Sequence, residues 1–150
     1  MEKFNHIELN NEVTKRGDNG FFKLEKDVEA IEEFLREVDF RTVPFNSEMK
    51  RLRYLVEENY YYNIFDKYIE DEILECLELA ANFKFEFKSY MAASKFYKDY
   101  ALKTNDKKQY LENYNQHVFI VAMYLADGNV SLAKELMISM LEPATPTFLN

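Results

Sequence analysis

KKQYLENYNQHVFIVAMYLADGNVSLAKELMISML, residues 107–141, is the stretch that decides the fold. Leu111, Tyr114, Val118, Val121 and Leu125 recur at helical spacing and predict a helix over 107–126. It stops at Asp127-Gly128, where Gly128 can take the left-handed conformation that ends a helix. Asn129 or Ser131 can cap the next helix, in which Leu132, Leu136 and Met140 repeat until Pro143 closes it. So short a turn lays the two helices antiparallel, as an αα-hairpin.

Upstream the same period continues. Val28, Ile31, Leu35 and Val38 form one apolar stripe, with Glu29, Glu32, Glu33 and Glu37 mostly off it. Pro44 biases Val43 away from the helical region and ends that helix. Asn46 or Ser47 can cap a second helix carrying Met49, Leu52 and Leu55. A third covers about 70–82, with Ile73, Leu74, Leu77 and Ala81 inward, and a fourth covers about 89–102, capped by Ser89. The start reads differently. Phe4, Ile7 and Leu9 precede Gly17-Asp18-Asn19-Gly20, and Phe21, Phe22 and Leu24 follow, which predicts a short β-hairpin about an Asn-Gly turn. At the other end Pro146 keeps Ala144–Asn150 extended. Tyr124–Leu136 resembles one tetratricopeptide hairpin, but no second copy follows at that repeat's period of about 34 residues.

Composition excludes several classes. Hydrophobic residues make up 47% of the chain, too many for a disordered one, and 3 Gly with 3 Pro leave too few breaks for a many-turned β fold. The net charge of -8 belongs to the first half: residues 1–75 hold 11 basic against 19 acidic side chains, while 76–150 hold 8 of each. An acidic chain does not offer the basic face that nucleic acid needs. Residues 84–108 are locally basic, with seven Lys, and read as a solvated helix face. Met1–His6 contains no signal-peptide core, and no apolar run reaches the roughly 18 residues of a membrane span, so a cytoplasmic protein is expected.

No self-contained active site emerges. Cys76 is the only cysteine, so no internal disulfide can form, and its apolar neighbours Ile73, Leu74 and Leu77 mark it as a buried hydrophobe rather than a nucleophile. His6 and His117 lie far apart, no His pair or Cys pair has ligand spacing, and no metal is expected. The glycines form no phosphate-cradling loop. Tyr60-Tyr61-Tyr62 could stack on bases, but Glu57 and Glu58 beside it favour partial burial at a domain junction.

Four blocks nevertheless occur in a telling order. They are Ile7–Glu12 (IELNNE); Tyr54–Tyr61 (YLVEENYY); Phe83–Phe87 followed by Ser89–Asp106 (SYMAASKFYKDYALKTND); and Pro143–Asn150 (PATPTFLN). Together they resemble the N-terminal region of class Ib ribonucleotide reductase large (alpha) subunits. The resemblance implies a mainly α chain, with the hairpin at its start, that ends at the threshold of a missing ten-stranded α/β barrel. It divides the chain into an N-terminal helical region, 1–85, and the start of the large-subunit domain leading into the barrel, 86–150. The resemblance starts almost at Met1, so no large ATP-binding cone is expected, which fits class Ib.

In that family the whole subunit is an oxidoreductase that converts ribonucleoside diphosphates to deoxyribonucleotides. A cysteine thiyl radical abstracts the 3′ hydrogen and a cysteine pair supplies electrons. The resemblance further implies nucleoside triphosphate effectors, a small beta subunit carrying a metal–tyrosyl radical, and no cofactor bound by this portion itself. Thr145 matches the threonine that contacts the substrate's phosphate; no catalytic residue matches within the chain. The expectation is therefore an N-terminal fragment of the alpha subunit, not competent alone and partnered by the remainder of that subunit, with neither nucleic acid nor membrane as a partner. Two other readings compete: a helical-hairpin adaptor built on 107–141, and a regulatory decoy of the intact subunit.

Overall fold

The computed structural model describes residues 20–142, with side chains from Lys26 onward. Its helices are α1 (Gly20–Phe40), α2 (Glu48–Glu57), α3 (Glu70–Asn82), α4 (Tyr90–Lys95), α5 (Tyr114–Ala126) and α6 (Val130–Leu141). A 3₁₀ turn, Ile64–Asp66, precedes α3, and a π turn, Phe96–Tyr100, continues α4. Among the described residues there is no strand, only isolated bridges at Thr42, Lys103 and Tyr110. The chain divides into two compact units, each drawing on both sides of residue 85.

The first unit holds the described residues up to Val43 together with Glu86–Glu112. Helix α1 buries Ala30, Phe34 and Val38, while Ile31 and Leu35 are half-buried and Val28 is exposed. The expected stripe is thus turned toward Phe34, whose ring meets Tyr90 and Tyr97 edge-on, both at 5.8 Å. Such edge-to-face pairs add to simple area burial. Helix α4 starts under two caps: Ser89 Oγ accepts from the Ala92 N–H, and Asp27 accepts from the Tyr90 N–H at 3.1 Å. Its final turn widens to the π form, closed by the Ala101 N–H donating to the Phe96 carbonyl.

Two expectations in this unit are corrected. Phe21, Phe22 and Leu24 lie in α1 and not in the second strand of a hairpin; residues 4–19 fall outside the described residues. Phe21 and Leu24 stand at helical spacing ahead of Val28 and Ile31, so the period of the long helix extends back over them. Residues 107–113 are also not helical. Thr104 Oγ1 donates to Asp106 at 2.6 Å, Asp106 accepts from the Lys108 N–H, and Lys107 adopts φ +62°. These local bonds compete with a helix and fold 102–111 back on itself, with the Leu111 N–H on the Leu102 carbonyl and the Thr104 N–H on Gln109. Leu111 is buried as expected, but from a loop.

The second unit comprises Pro44–Phe85 and the described residues from Asn113 onward. Ser47 caps α2 through the Lys50 N–H, and Leu52 and Leu55 of that helix are fully buried. Helix α3 spans the range the sequence predicts. It buries Ile73, Cys76, Leu77 and Ala80, leaving Leu74 and Ala81 exposed. Helix α5 begins at Asn113, whose side chain accepts from the Gln116 N–H while Gln116 accepts from the Asn113 N–H, a complete capping box. Asp127 (φ +46°) and Gly128 (φ +97°) end it, and Asn129, not Ser131, caps α6. The hairpin is antiparallel: the Tyr114 hydroxyl at the start of α5 donates to the Met140 carbonyl near the end of α6. Its buried side is Phe119, Ala122, Met123 and Ala126 against Ala133, Met137 and Leu141. Leu125 and Leu132, expected in the core, are 59% and 38% exposed.

Candidate functional site

A cluster of hydrogen-bonded polar side chains surrounds the start of α5 in the second unit. A cleft of about 280 Å³ is lined by Glu48, Leu77, Ala80, Asn113, Asn115 and Gln116, among others. Each polar group there has a local reason. Helix α3 ends at Asn82, so its last carbonyls lack helical donors. Asn115 Nδ2 supplies two bonds, to the Ala80 carbonyl at 2.8 Å and the Phe83 carbonyl at 2.9 Å. Gln116 Nε2 donates to Glu48 at 2.7 Å, and the other oxygen of Glu48 faces Arg51 Nε at 3.4 Å. Arg51 is only 3% exposed, and its Nη1 donates to the Tyr61 hydroxyl at 3.1 Å. A buried guanidinium must be paired, so Glu48 and Tyr61 hold it in place. These residues form a clamp between helix ends. Sequence reasoning missed that clamp, although Asn113 and Gln116 stand at capping-box spacing.

The residues singled out from sequence fall as follows. Cys76 is fully buried, and burial pushes its thiol up to about 11, with Lys134 opposing, which leaves it protonated and inert at neutral pH. Tyr60, Tyr61 and Tyr62 are half-buried, as a partly buried cluster should be. Tyr62 meets Tyr124 edge-on at 4.9 Å, its hydroxyl is buried without a hydrogen-bond partner, and desolvation raises its pKa. Tyr68 donates to the Met123 carbonyl at 2.8 Å. His117 is half-buried on α5, and no group of three metal-ligating side chains occurs among the described residues.

In the first unit the basic stretch is partly structural. The Arg41 guanidinium and the Lys103 ammonium lie 5.2 and 5.6 Å from the centre of the buried Tyr110 ring. Lys103 donates to the Lys98 and Ala101 carbonyls at the end of the π turn, and burial lowers its pKa. A cation there satisfies carbonyls that the helix end leaves free. No described helix is long and apolar enough to cross a membrane.

Thr145, the one residue with an implied hand in substrate binding, lies outside the described residues. Comparison with known proteins therefore carries the assignment. A family model described as "Ribonucleotide reductase N-terminal" matches residues 6–85, and one described as "Ribonucleotide reductase, all-alpha domain" matches 86–150. The chain is 44% identical to the ribonucleoside-diphosphate reductase NrdEB subunit alpha of Bacillus subtilis, covering 97% of this chain and 14% of that one. It is also 44% identical to the ribonucleoside-diphosphate reductase subunit alpha of the same organism, over 96% of this chain and 21% of the relative. The corresponding subunit of Mycoplasma pneumoniae is 39% identical, over 97% of this chain and 20% of its own length. The chain thus spans between 14% and 21% of these relatives. With both domain descriptions matched end to end, it belongs to the ribonucleotide reductase large-subunit family, as an N-terminal portion of the alpha subunit.

Proposed function

We propose that these residues form the helical N-terminal portion of a class Ib enzyme that reduces ribonucleoside diphosphates to deoxyribonucleotides, and that they act only with the remainder of the alpha subunit. The observation that carries this reading is 44% identity, sustained over 97% of the chain, to a ribonucleoside-diphosphate reductase subunit alpha. Within it the two units are scaffold, and the radical chemistry belongs to residues outside this portion. Thr145 contributes to substrate binding: a threonine hydroxyl with its backbone N–H is suited to donate to a phosphate oxygen. The beta subunit with its metal–tyrosyl radical and nucleoside triphosphate effectors act on the assembled enzyme, in the cytoplasm.

The test is a chimera in which this chain replaces the aligned N-terminal segment of the Bacillus subtilis subunit alpha, assayed for ribonucleoside-diphosphate reduction with that organism's beta subunit. The chimera should reduce substrate. Thr145→Ala should raise KM more than it lowers kcat, since one neutral-to-charged hydrogen bond is worth about 1.5–3 kcal/mol. A folded chimera that binds the beta subunit but turns nothing over refutes the proposal.

A further inference from the structure

The first turn of α5 fixes more than one helix end. Its second residue, Asn115, holds the carbonyl end of α3. Its first, Tyr114, holds that of α6, because the Tyr114 hydroxyl donates to the Met140 carbonyl at 3.2 Å. That carbonyl lies in the last turn of α6, among those a helix end leaves without a helical donor. The Glu142 N–H still donates to the Ile138 carbonyl, but Pro143 carries no N–H and cannot supply the next bond of the ladder. The hydroxyl is itself held in place. Phe85 stacks on the Tyr114 ring with centroids 4.1 Å apart and planes 24° from parallel, and both rings pack against the core of the second unit. Burial raises the Tyr114 pKa, so the phenol remains a donor through the neutral range.

We infer that Tyr114 is a positioning residue for Thr145, pinning the end of α6 from which the substrate-binding segment departs. The inference rests on the functional reading above, in which Thr145 donates to a substrate phosphate. Only Glu142, Pro143 and Ala144 separate Thr145 from Leu141, the last residue of α6, and Leu141 is buried in the core. So short a connection, with one φ fixed by the proline ring, has few dihedrals with which to absorb a shift of its starting point. A displacement of the helix end therefore reaches Thr145, and a hydrogen bond to phosphate weakens steeply as its distance and angle depart from the optimum. Tyr114 touches no substrate in this account. It acts through the helix end, while the Phe85 ring keeps its hydroxyl on the Met140 carbonyl.

The test uses the chimera with the Bacillus subtilis subunit alpha and the change Tyr114→Phe, which keeps the stacked ring and removes the donor. KM for the ribonucleoside diphosphate should rise about 2- to 10-fold, the range that one hydrogen bond supports, while kcat stays within about twofold. In a Thr145→Ala background the same change should add nothing to KM, because a residue that acts through Thr145 has nothing left to place. Tyr68→Phe is the control. It removes a hydroxyl–carbonyl bond from the turn end of the same hairpin, to Met123 at 2.8 Å, and should lower the melting temperature without raising KM. Phe85→Leu keeps the hydroxyl and removes the ring stacked against it; as a second variant it should raise KM in the same direction. The inference is overturned if Tyr114→Phe and Phe85→Leu both leave KM unchanged while Thr145→Ala raises it, an outcome that leaves the functional reading intact. It is also overturned if Tyr114→Phe raises KM equally with and without Thr145, or if Tyr68→Phe raises it as much. A Thr145→Ala chimera with unaltered KM refutes the functional reading of Thr145, and the inference with it.

Discussion

Replacing Asn115 by aspartate exchanges one NH₂ group for an oxygen and changes little else in shape. In the wild type that nitrogen donates to the Ala80 and Phe83 carbonyls at 2.8 and 2.9 Å, binding the end of α3 to the start of α5. Each such bond is worth about 0.5–1.5 kcal/mol net, so Asn115→Ala should cost about 1–3 kcal/mol. Asn115→Asp should cost more at neutral pH. A carboxylate oxygen placed where the nitrogen was would face two carbonyl oxygens at hydrogen-bond distance. Aspartate in the first turn of α5 recovers at most about 1 kcal/mol from the helix dipole. The net loss comes to about 2–3 kcal/mol, a fall of roughly 4–12 °C in Tm for a chain of this size.

The aspartate variant also has a pH signature that alanine lacks. When protonated, its O–H can donate to one of the two carbonyls, so the folded state prefers the neutral acid and raises the pKa above the unfolded value. The deficit relative to wild type should therefore be smallest below the ordinary carboxyl range and grow as pH rises through the folded pKa. Thermal melts of wild type, Asn115→Ala and Asn115→Asp from about pH 4 to about pH 8 measure this directly. A deficit for aspartate that stays flat over that range, or that never exceeds the alanine deficit, would refute the assignment of Asn115 as the double donor.

Three other outcomes follow from the same geometry. Glu48→Ala deprives the 3%-exposed Arg51 of its carboxylate and Gln116 of its acceptor; urea unfolding should show a loss of about 2 kcal/mol, and no change in the midpoint would remove the clamp. Cys76 has a thiol raised from 9.0 to about 11 by burial, so its contribution to stability is complete below pH 9 and is lost as pH rises toward 11. Cys76→Ala should flatten that alkaline limb in a pH-resolved melt, and an unchanged slope argues against it. Gly128 holds φ +97°, and a Cβ there would stand 3.3 Å from the Lys67 carbonyl oxygen. Gly128→Ala should destabilise by about 1–2 kcal/mol in denaturant titrations, where a neutral result would mean that the turn can relax.

Helix ends were more legible than helix faces, for a physical reason. Ends are marked by single residues with one dominant role: Ser47, Ser89 and Asn129 each accept the backbone N–H that a cap must take, and Gly128 takes the positive φ. Helix α3 has no such cap: Ile69 precedes it, and Glu72 accepts the Ile69 N–H instead. The loop 102–111 was not legible, because it contains no glycine or proline; what folds it is a hydroxyl–carboxylate bond between Thr104 and Asp106 and a positive φ at Lys107. The Asn-Gly turn signal misleads at Phe21–Leu24, where it outweighs a stripe that is already helical. The clamp around Arg51 was hidden for another reason. Gln116, which donates to Glu48, lies 68 residues from it in sequence, and an arginine amid Glu48–Glu57 gives no sign of being buried.

The misjudged faces of α5 and α6 deserve a different explanation, because both alternatives satisfy the helical period. The side the second unit buries carries Ala122, Ala126 and Ala133 beside Phe119 and Met137; the side it leaves open carries Leu125 and Leu132. Alanines inside let the helix backbones approach closely, which favours dense packing. Yet burying a leucine is worth about 1.5–3 kcal/mol, several times what an alanine methyl contributes. Position along the hairpin decides the difference: Leu125 and Leu132 flank the turn at Asp127–Asn129 and stay exposed, whereas Val121 and Leu136, further from the turn, pack against the core of the unit. The stripe through Val121, Leu125, Leu132 and Leu136 is therefore a core signal in its inner half, while the two leucines next to the turn satisfy the same helical period without reaching the core.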